Sequence, residues 1–193
     1  MYILFEGIDT SGKSTQIALM KQKISDIIVT HEPGGTSFGK QIRQILLDCS
    51  LRSKRAEALL FLADRAEHYE TVIKPNKDKT VISDRGFVSG MAYAMAHMDI
   101  DFETLLQLNL FALEETLPDF IILFITNEKT LIERLGQKGL DGIEQRGISY
   151  LLKVQTSMQK IIAKLGISCL EIDATQDIDT IHLQITNYLR TAL

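Results

Sequence analysis

The chain has 193 residues, 45% of them hydrophobic and 24% charged, with a formal net charge of −4. That length suits one well-packed α/β unit rather than two full ones, so residues 1–193 are expected to form a single domain. The negative balance disfavours non-specific attraction to nucleic acid or to an anionic membrane, so any anionic substrate must be held by a few local Arg and Lys side chains.

The first apolar run, Tyr2–Glu6, reads as a buried strand and enters it without the basic region of a signal peptide. A cytoplasmic address is therefore expected. The next residues, "GIDTSGKS", leave the strand and lead into a helical pattern over Lys13–Lys23. Gly7, Gly12, Lys13 and Ser14 fit G-x-x-x-x-G-K-[ST], a loop whose backbone N–H groups turn inward around a phosphate. The helix N-terminus behind it adds its positive end. Gly7, Ile8, Asp9, Thr10, Ser11, Gly12, Lys13, Ser14 and Thr15 are thus the expected nucleotide cradle.

A second strand is expected over Ile27–Thr30, followed by "HEPGGTSFGK" and a helix over Ser37–Leu47. A long helix follows over Lys54–Lys74, then a strand over Thr80–Ser83 that ends on "DRGFVSG". Helices are expected over Val88–Met98 and Phe102–Thr116, and a strand over Phe120–Ile125. That run is far too short to cross a bilayer. The rest reads as helix Glu128–Leu135, a polar Gly-rich stretch "GQKGLDGIEQRG", helix Ser149–Leu165, strand Ile167–Ile172 and helix Thr180–Thr191. Continuously apolar strands separated by helices predict a parallel sheet covered on both faces, with ligands at the carboxyl ends of the strands. Cys49 and Cys169 form no C-x-x-C pair and are expected as small buried hydrophobes.

A phosphate loop alone does not separate GTPases, motors and kinases. The guanine signature N-K-x-D is not met by "NEKT". A kinase for a small molecule needs a second cationic site and a basic lid. Asp84 and Arg85 supply the first, the carboxylate suited to hold magnesium through water and the guanidinium to grip a phosphate, although Asp is also a common helix cap. Arg134, Lys138 and Arg146 supply the second, in a stretch that also fits a plain solvated loop. No dedicated base is evident. A hydroxyl acceptor needs one, whereas a nucleoside monophosphate is already ionised near neutral pH.

"FEGIDTSGKST", "EPGGT", "LLFLADRAEH" and "DRGFVSGMAYA", in this order and spacing, resemble the bacterial thymidylate kinases, and nearly the whole chain takes part. The resemblance implies a three-layer α/β P-loop kinase fold: a five-stranded parallel sheet with helices on both faces and a short lid near 136–147. It further implies magnesium-dependent transfer of the γ-phosphate of ATP to dTMP, and a homodimer packed through helices. In that family frame Lys13 meets the transferring phosphate, Ser14 the magnesium, and Asp9 the acceptor's 3′-hydroxyl and magnesium waters. Glu32 lies near the metal and acceptor, and Arg85 holds the acceptor phosphate. Phe61 stacks on thymine, Arg65 reaches O4, and Tyr93 crowds the 2′ position. Phe61 and Arg65 stand four apart in a helix and so share a face; an Arg offers only donors, which suit thymine O4 and oppose the cytosine amino group. Taken bare, Phe61 would read as a core residue. Thr10 stands where the family has Gly or Arg, which leaves the transition-state cation to Arg134, Lys138 or Arg146. His31 replaces a frequent Arg, and Gly90 and Ala94 replace polar side chains near the base.

Overall fold

The computed structural model describes residues 1–24, 26–48, 51–97, 100–136 and 147–191. Five strands, β1 (Tyr2–Gly7), β2 (Ile27–His31), β3 (Thr80–Asp84), β4 (Phe120–Ile125) and β5 (Cys169–Asp173), pair in parallel in the order β2-β3-β1-β4-β5. Around them lie α1 (Lys13–Lys23), α2 (Ser37–Asp48), α3 (Lys54–His68), α4 (Phe87–His97), α5 (Phe102–Ala112), α6 (Glu128–Leu135), α7 (Ile148–Leu165) and α8 (Ile178–Thr191).

Strand residues alternate between two separate cores. Ile3 and Phe5 of β1, with Ile122 and Phe124 of β4, pack on Ile17 and Met20 of α1 and on Ile181 and Ile185 of α8. Tyr2 and Leu4, with Ile121 and Leu123, face Val88 and Met91 of α4 and Leu151, Val154 and Met158 of α7. Burial on both faces is the reason these strands carry no polar alternation. Each fully buried Ile, Leu or Phe contributes roughly 1.5–3 kcal/mol by leaving water. Helix starts are fixed by side-chain caps: Ser53 accepts from Ala56 N at 3.2 Å, Asp101 from Thr104 N at 2.9 Å, and Asn127 from Thr130 N at 2.9 Å.

The sheet order places the site. From β1 the chain crosses toward β2, and from the neighbouring β3 it crosses the other way to β4. Such a reversal opens a crevice at the strand ends. In register, Phe5 and His31 both align with Asp84, so the exits of β1, β2 and β3 meet.

Three boundaries differ from expectation. The helix expected to run to Lys74 ends at His68 and continues as a π-helical turn (Tyr69–Ile73) and a short 3₁₀ turn (Lys74–Asn76). Pro75 has no N–H to give and disfavours helix in Lys74, while the wider turn buries Tyr69 and brings its hydroxyl 2.8 Å from Thr116 Oγ1. Helix α5 stops at Ala112 because Glu114 and Glu115 take positive φ on the way to the extended Leu117–Pro118 step. Strand β5 begins at Cys169 rather than Ile167, after Gly166 closes α7 in the left-handed region. Cys169 is half-buried against the core, and burial pushes its thiol up to about 12, an unreactive setting. Cys49 and Met98 lie outside the described residues. Among the described residues no helix is long and apolar enough to cross a membrane.

Candidate active site

The phosphate loop forms where β1 ends. Gly7 adopts φ +146°, and a Cβ there would stand 2.8 Å from the Phe124 carbonyl oxygen, so only glycine lets the loop leave the sheet this closely. Gly12, at φ +95°, opens α1 with no side-chain cap and no acidic residue in the first turn, which keeps that N-terminus favourable to an anion. Thr10 holds φ +60°, a conformation in which a β-branched residue is strained. The Thr10 and Ser11 hydroxyls are buried and take no hydrogen bond from the described residues. Lys13 Nζ donates to Gly7 O at 3.0 Å and Ile8 O at 3.1 Å. Burial, with the Arg85 charge adding to it, brings the Lys13 ammonium down to about 8.

Ser14 and Asp84 meet beside that lysine, the hydroxyl donating to Asp84 Oδ2 at 3.2 Å. Asp84 Oδ1 is buried without a hydrogen bond, and Lys13 Nζ is 4.0 Å away. Ser14, Asp84 and Asp9 offer oxygen donors only, which magnesium prefers. Among the described residues no group of three or more His, Cys, Asp or Glu could hold a metal alone. The residues therefore fit an ion that keeps waters and takes nucleotide oxygens, as magnesium does.

The second cationic site stands across the loop. Arg85 has φ +69°, rare for a long side chain, and its guanidinium is tied at three points. Nη2 pairs with Asp9 Oδ1 at 2.9 Å, while Nη1 donates to Gly7 O at 2.9 Å and to Ser89 Oγ at 3.3 Å. Behind it lies Glu6, a fully buried carboxylate not among the residues expected at the site. It accepts from Ser89 N at 3.2 Å and from Ser89 Oγ, and burial raises its carboxyl above the ordinary range. The only hint in sequence is a charged residue closing an apolar strand. Tyr93 sits beside Arg85, its ring centroid 5.8 Å from the guanidinium carbon, and its buried hydroxyl finds no well-formed hydrogen bond among the described residues.

A cleft opens next to Tyr93, lined among others by Phe61, Arg65, Gly90, Ala94 and Asn109. Phe61 is part of this wall and only partly buried, not a core residue. Arg65 is 2% exposed. Its Nε donates to Glu32 Oε2 at 2.9 Å, Nη2 lies 2.8 Å from the same oxygen, and Nη1 donates to Asn109 Oδ1 at 2.6 Å.

Glu32, expected near the metal and the acceptor, turns inward to Arg65 and His68. His68 Nδ1 is 2.8 Å from Glu32 Oε1 and Nε2 is 2.7 Å from Thr30 Oγ1; since a carboxylate only accepts, Nδ1 carries the proton. Burial pushes the Glu32 carboxyl up, but Arg65 and His68 outweigh it and hold it below the ordinary range. Next to it Asp64 accepts from Gly34 N at 2.9 Å, and burial together with Glu32 pushes it up to about 6. His68, Asp64 and Asn109 are the structural residues of this pocket that the motifs did not single out.

Arg134, in the last turn of α6, donates to Thr10 O at 3.1 Å and Ala174 O at 2.7 Å. It clamps the phosphate loop to the segment after β5. Lys138 and Arg146 lie outside the described residues, as does most of the expected lid.

A family model described as thymidylate kinase matches residues 5–185. The chain belongs to this family. A thymidylate kinase from Sulfurovum sp. (strain NBC37-1) is 63% identical over 98% of this chain and 100% of its own length. One from Sulfurimonas denitrificans (strain ATCC 33889 / DSM 1251) is 52% identical over 97% of this chain and 98% of that protein. The crystal structure of thymidylate kinase from Ehrlichia chaffeensis superposes with a TM-score of 0.78 at 29% identity, covering 98% of both chains. The P-loop kinase fold expected from the motifs is thus the fold found. In this thymidylate kinase family member, Arg85 links the phosphate loop, through Gly7 O, to the wall of the Phe61–Arg65 cleft at Tyr93.

Proposed function

We propose that this chain is a dTMP kinase that transfers the γ-phosphate of ATP to dTMP, giving dTDP and ADP for dTTP synthesis. One observation carries the assignment: the phosphate loop and a cleft built from Phe61 and Arg65 are joined by Arg85, which reaches from the loop carbonyl of Gly7 to the cleft wall at Tyr93. ATP rests its phosphates on Gly7–Thr15, with Lys13 on the transferring group. Arg85 holds the acceptor phosphate in line, and Asp9 orients both Arg85 and the acceptor sugar. Ser14, Asp84 and Asp9 would hold magnesium, which would supply neutralisation of charge on the phosphate oxygens. Catalysis here is aiming and electrostatics, since the acceptor needs no base.

A kinase for an unphosphorylated deoxynucleoside would need a base, with Glu32 or Asp84 as candidates. Glu32 is spent on Arg65 and His68 and held acidic, which argues against that chemistry. Arg134 braces the phosphate loop against the segment after β5, and Lys138 and Arg146 are the further cations proposed for the transferring group. The enzyme works in the cytoplasm.

Coupled ADP release with a panel of nucleoside monophosphates tests the acceptor. dTMP should exceed dCMP in kcat/KM by about 10²-fold or more, because mismatched donors leave buried polar groups unpaired. Faster turnover of CMP or UMP than of dTMP would overturn the assignment. The chain also acts as a homodimer packed through α2, α3 and α5, which expose Phe38, Ile45, Leu47, Leu59 and Phe111, the last 86% exposed. Light scattering should give twice the 21.7 kDa chain mass at micromolar concentration, and a monomer there would remove the dimer.

A further inference from the structure

We propose that Asn109 is a positioning residue that sets base preference by fixing the Arg65 guanidinium over the space left by Gly90; this rests on the dTMP assignment. Glu32 holds Arg65 at Nε and Nη2, but both meet one oxygen, Oε2, about which the rigid guanidinium plane can still pivot. Asn109 closes that freedom with its 2.6 Å bond to Nη1. With all three nitrogens held, the plane of the guanidinium cannot turn without breaking a charge-assisted bond.

The amide itself has one orientation. Its Nδ2 donates to Leu105 O at 2.7 Å, one turn back in α5. Arginine offers no acceptor, so Oδ1 must face it and Nδ2 must face the carbonyl. Asn109 is 3% exposed and shares the buried face of α5 with Leu105 and Ala112. An asparagine is a weak helix former, and on an apolar face it calls for a polar partner. Arg65 is that partner.

Gly90 is the other half of the device. A Cβ there would stand 2.9 Å from Arg65 Nη2 and 3.1 Å from Nη1. An unrestrained arginine tip would move aside, but this one is pinned on both flanks. The absence of a side chain at Gly90 lets the guanidinium lie against the α4 backbone. Ala94 and Leu105 add no polar group to that wall. Discrimination between a pyrimidine carbonyl and an amino group then falls on Arg65, and its orientation on Asn109.

The test compares kcat and KM for dTMP and dCMP, with melting temperature, in the parent, Asn109→Leu, Asn109→Asp, Gly90→Ala and the double variant Asn109→Leu/Gly90→Ala. Asn109→Leu should lower the dTMP-to-dCMP ratio of kcat/KM by about 10-fold or more, mainly through KM for dTMP, with kcat kept within a few-fold. Asn109→Asp keeps the acceptor toward Arg65 and should hold the ratio within roughly 3-fold of the parent. Gly90→Ala should reproduce the Asn109→Leu loss, and the double variant should fall no further, because both act through one group. A folded Asn109→Leu enzyme with the parent ratio, or losses that multiply in the double variant, would overturn the proposal. Should Asn109→Leu fail to fold, Gly90→Ala decides: an unchanged ratio overturns the proposal and a lowered one supports it. A parent that uses dCMP as well as dTMP overturns the acceptor assignment and this inference together, whereas a selective parent with selective variants overturns this inference alone.

Discussion

Replacing Lys13 by alanine should lower kcat for dTMP by about 10³-fold while leaving KM for dTMP within a few-fold. Removing one preorganised donor from developing charge costs roughly 10²–10³ in rate. Lys13 sits at the upper end because it is a full charge in a buried place, already aimed from the Gly7 and Ile8 carbonyls. The acceptor pocket does not touch it, so acceptor affinity should survive. Protonation gives a second readout. In the free enzyme burial brings this ammonium down to about 8, so above that pH much of it is neutral. A bound triphosphate favours the charged form and raises the value again. ATP binding near pH 8.5 should therefore take up a proton, seen by calorimetry in buffers of different ionisation enthalpy, and Lys13→Ala should lose that uptake. An alanine variant with kcat within tenfold of the parent would remove Lys13 from the transferring phosphate.

The features legible in sequence are those written in local spacing. Strands buried on both faces read as unbroken apolar runs, the phosphate loop as two glycines with Lys13 and Ser14, and the Phe61–Arg65 pair as neighbours on one helical face. Sheet order is not local. It emerges only when Phe5 and His31 both align with Asp84. The same holds for the polar network around Arg65: Glu32 lies 33 residues before it and Asn109 44 after it, and neither spacing carries a signal. The loop motif around Glu32 therefore does not announce its bonds to Arg65 and His68. Asn109 is one of two polar residues, with Gln107, in the otherwise apolar stretch "LLQLNLFA". Backbone strain at Arg85 is likewise invisible, since nothing in "SDRG" marks the arginine rather than the glycine as the left-handed residue.

That strain bears on the second large effect. Arg85→Ala should raise KM for dTMP by about 10²-fold and lower kcat as well, because in the role proposed for it the guanidinium would grip the acceptor phosphate besides offsetting Asp9. Without it the Asp9 carboxylate, 2.9 Å from Nη2 in the parent, would face an incoming dianion. Adding Asp9→Asn to Arg85→Ala should therefore recover part of the KM loss, the signature of relieved like-charge repulsion. Arg85→Lys should recover little, since a point ammonium cannot span Asp9, the Gly7 carbonyl and a phosphate at once. Arg85→Gly separates backbone from chemistry. A left-handed φ of +69° costs a non-glycine residue roughly 1–2 kcal/mol, so the glycine variant should melt about 2–8 °C above the alanine variant yet be equally slow. A guanidinium kept at a position where glycine would be more stable is what a phosphate clamp requires. Retention of the parent acceptor KM in Arg85→Ala would mean that the acceptor phosphate is held elsewhere.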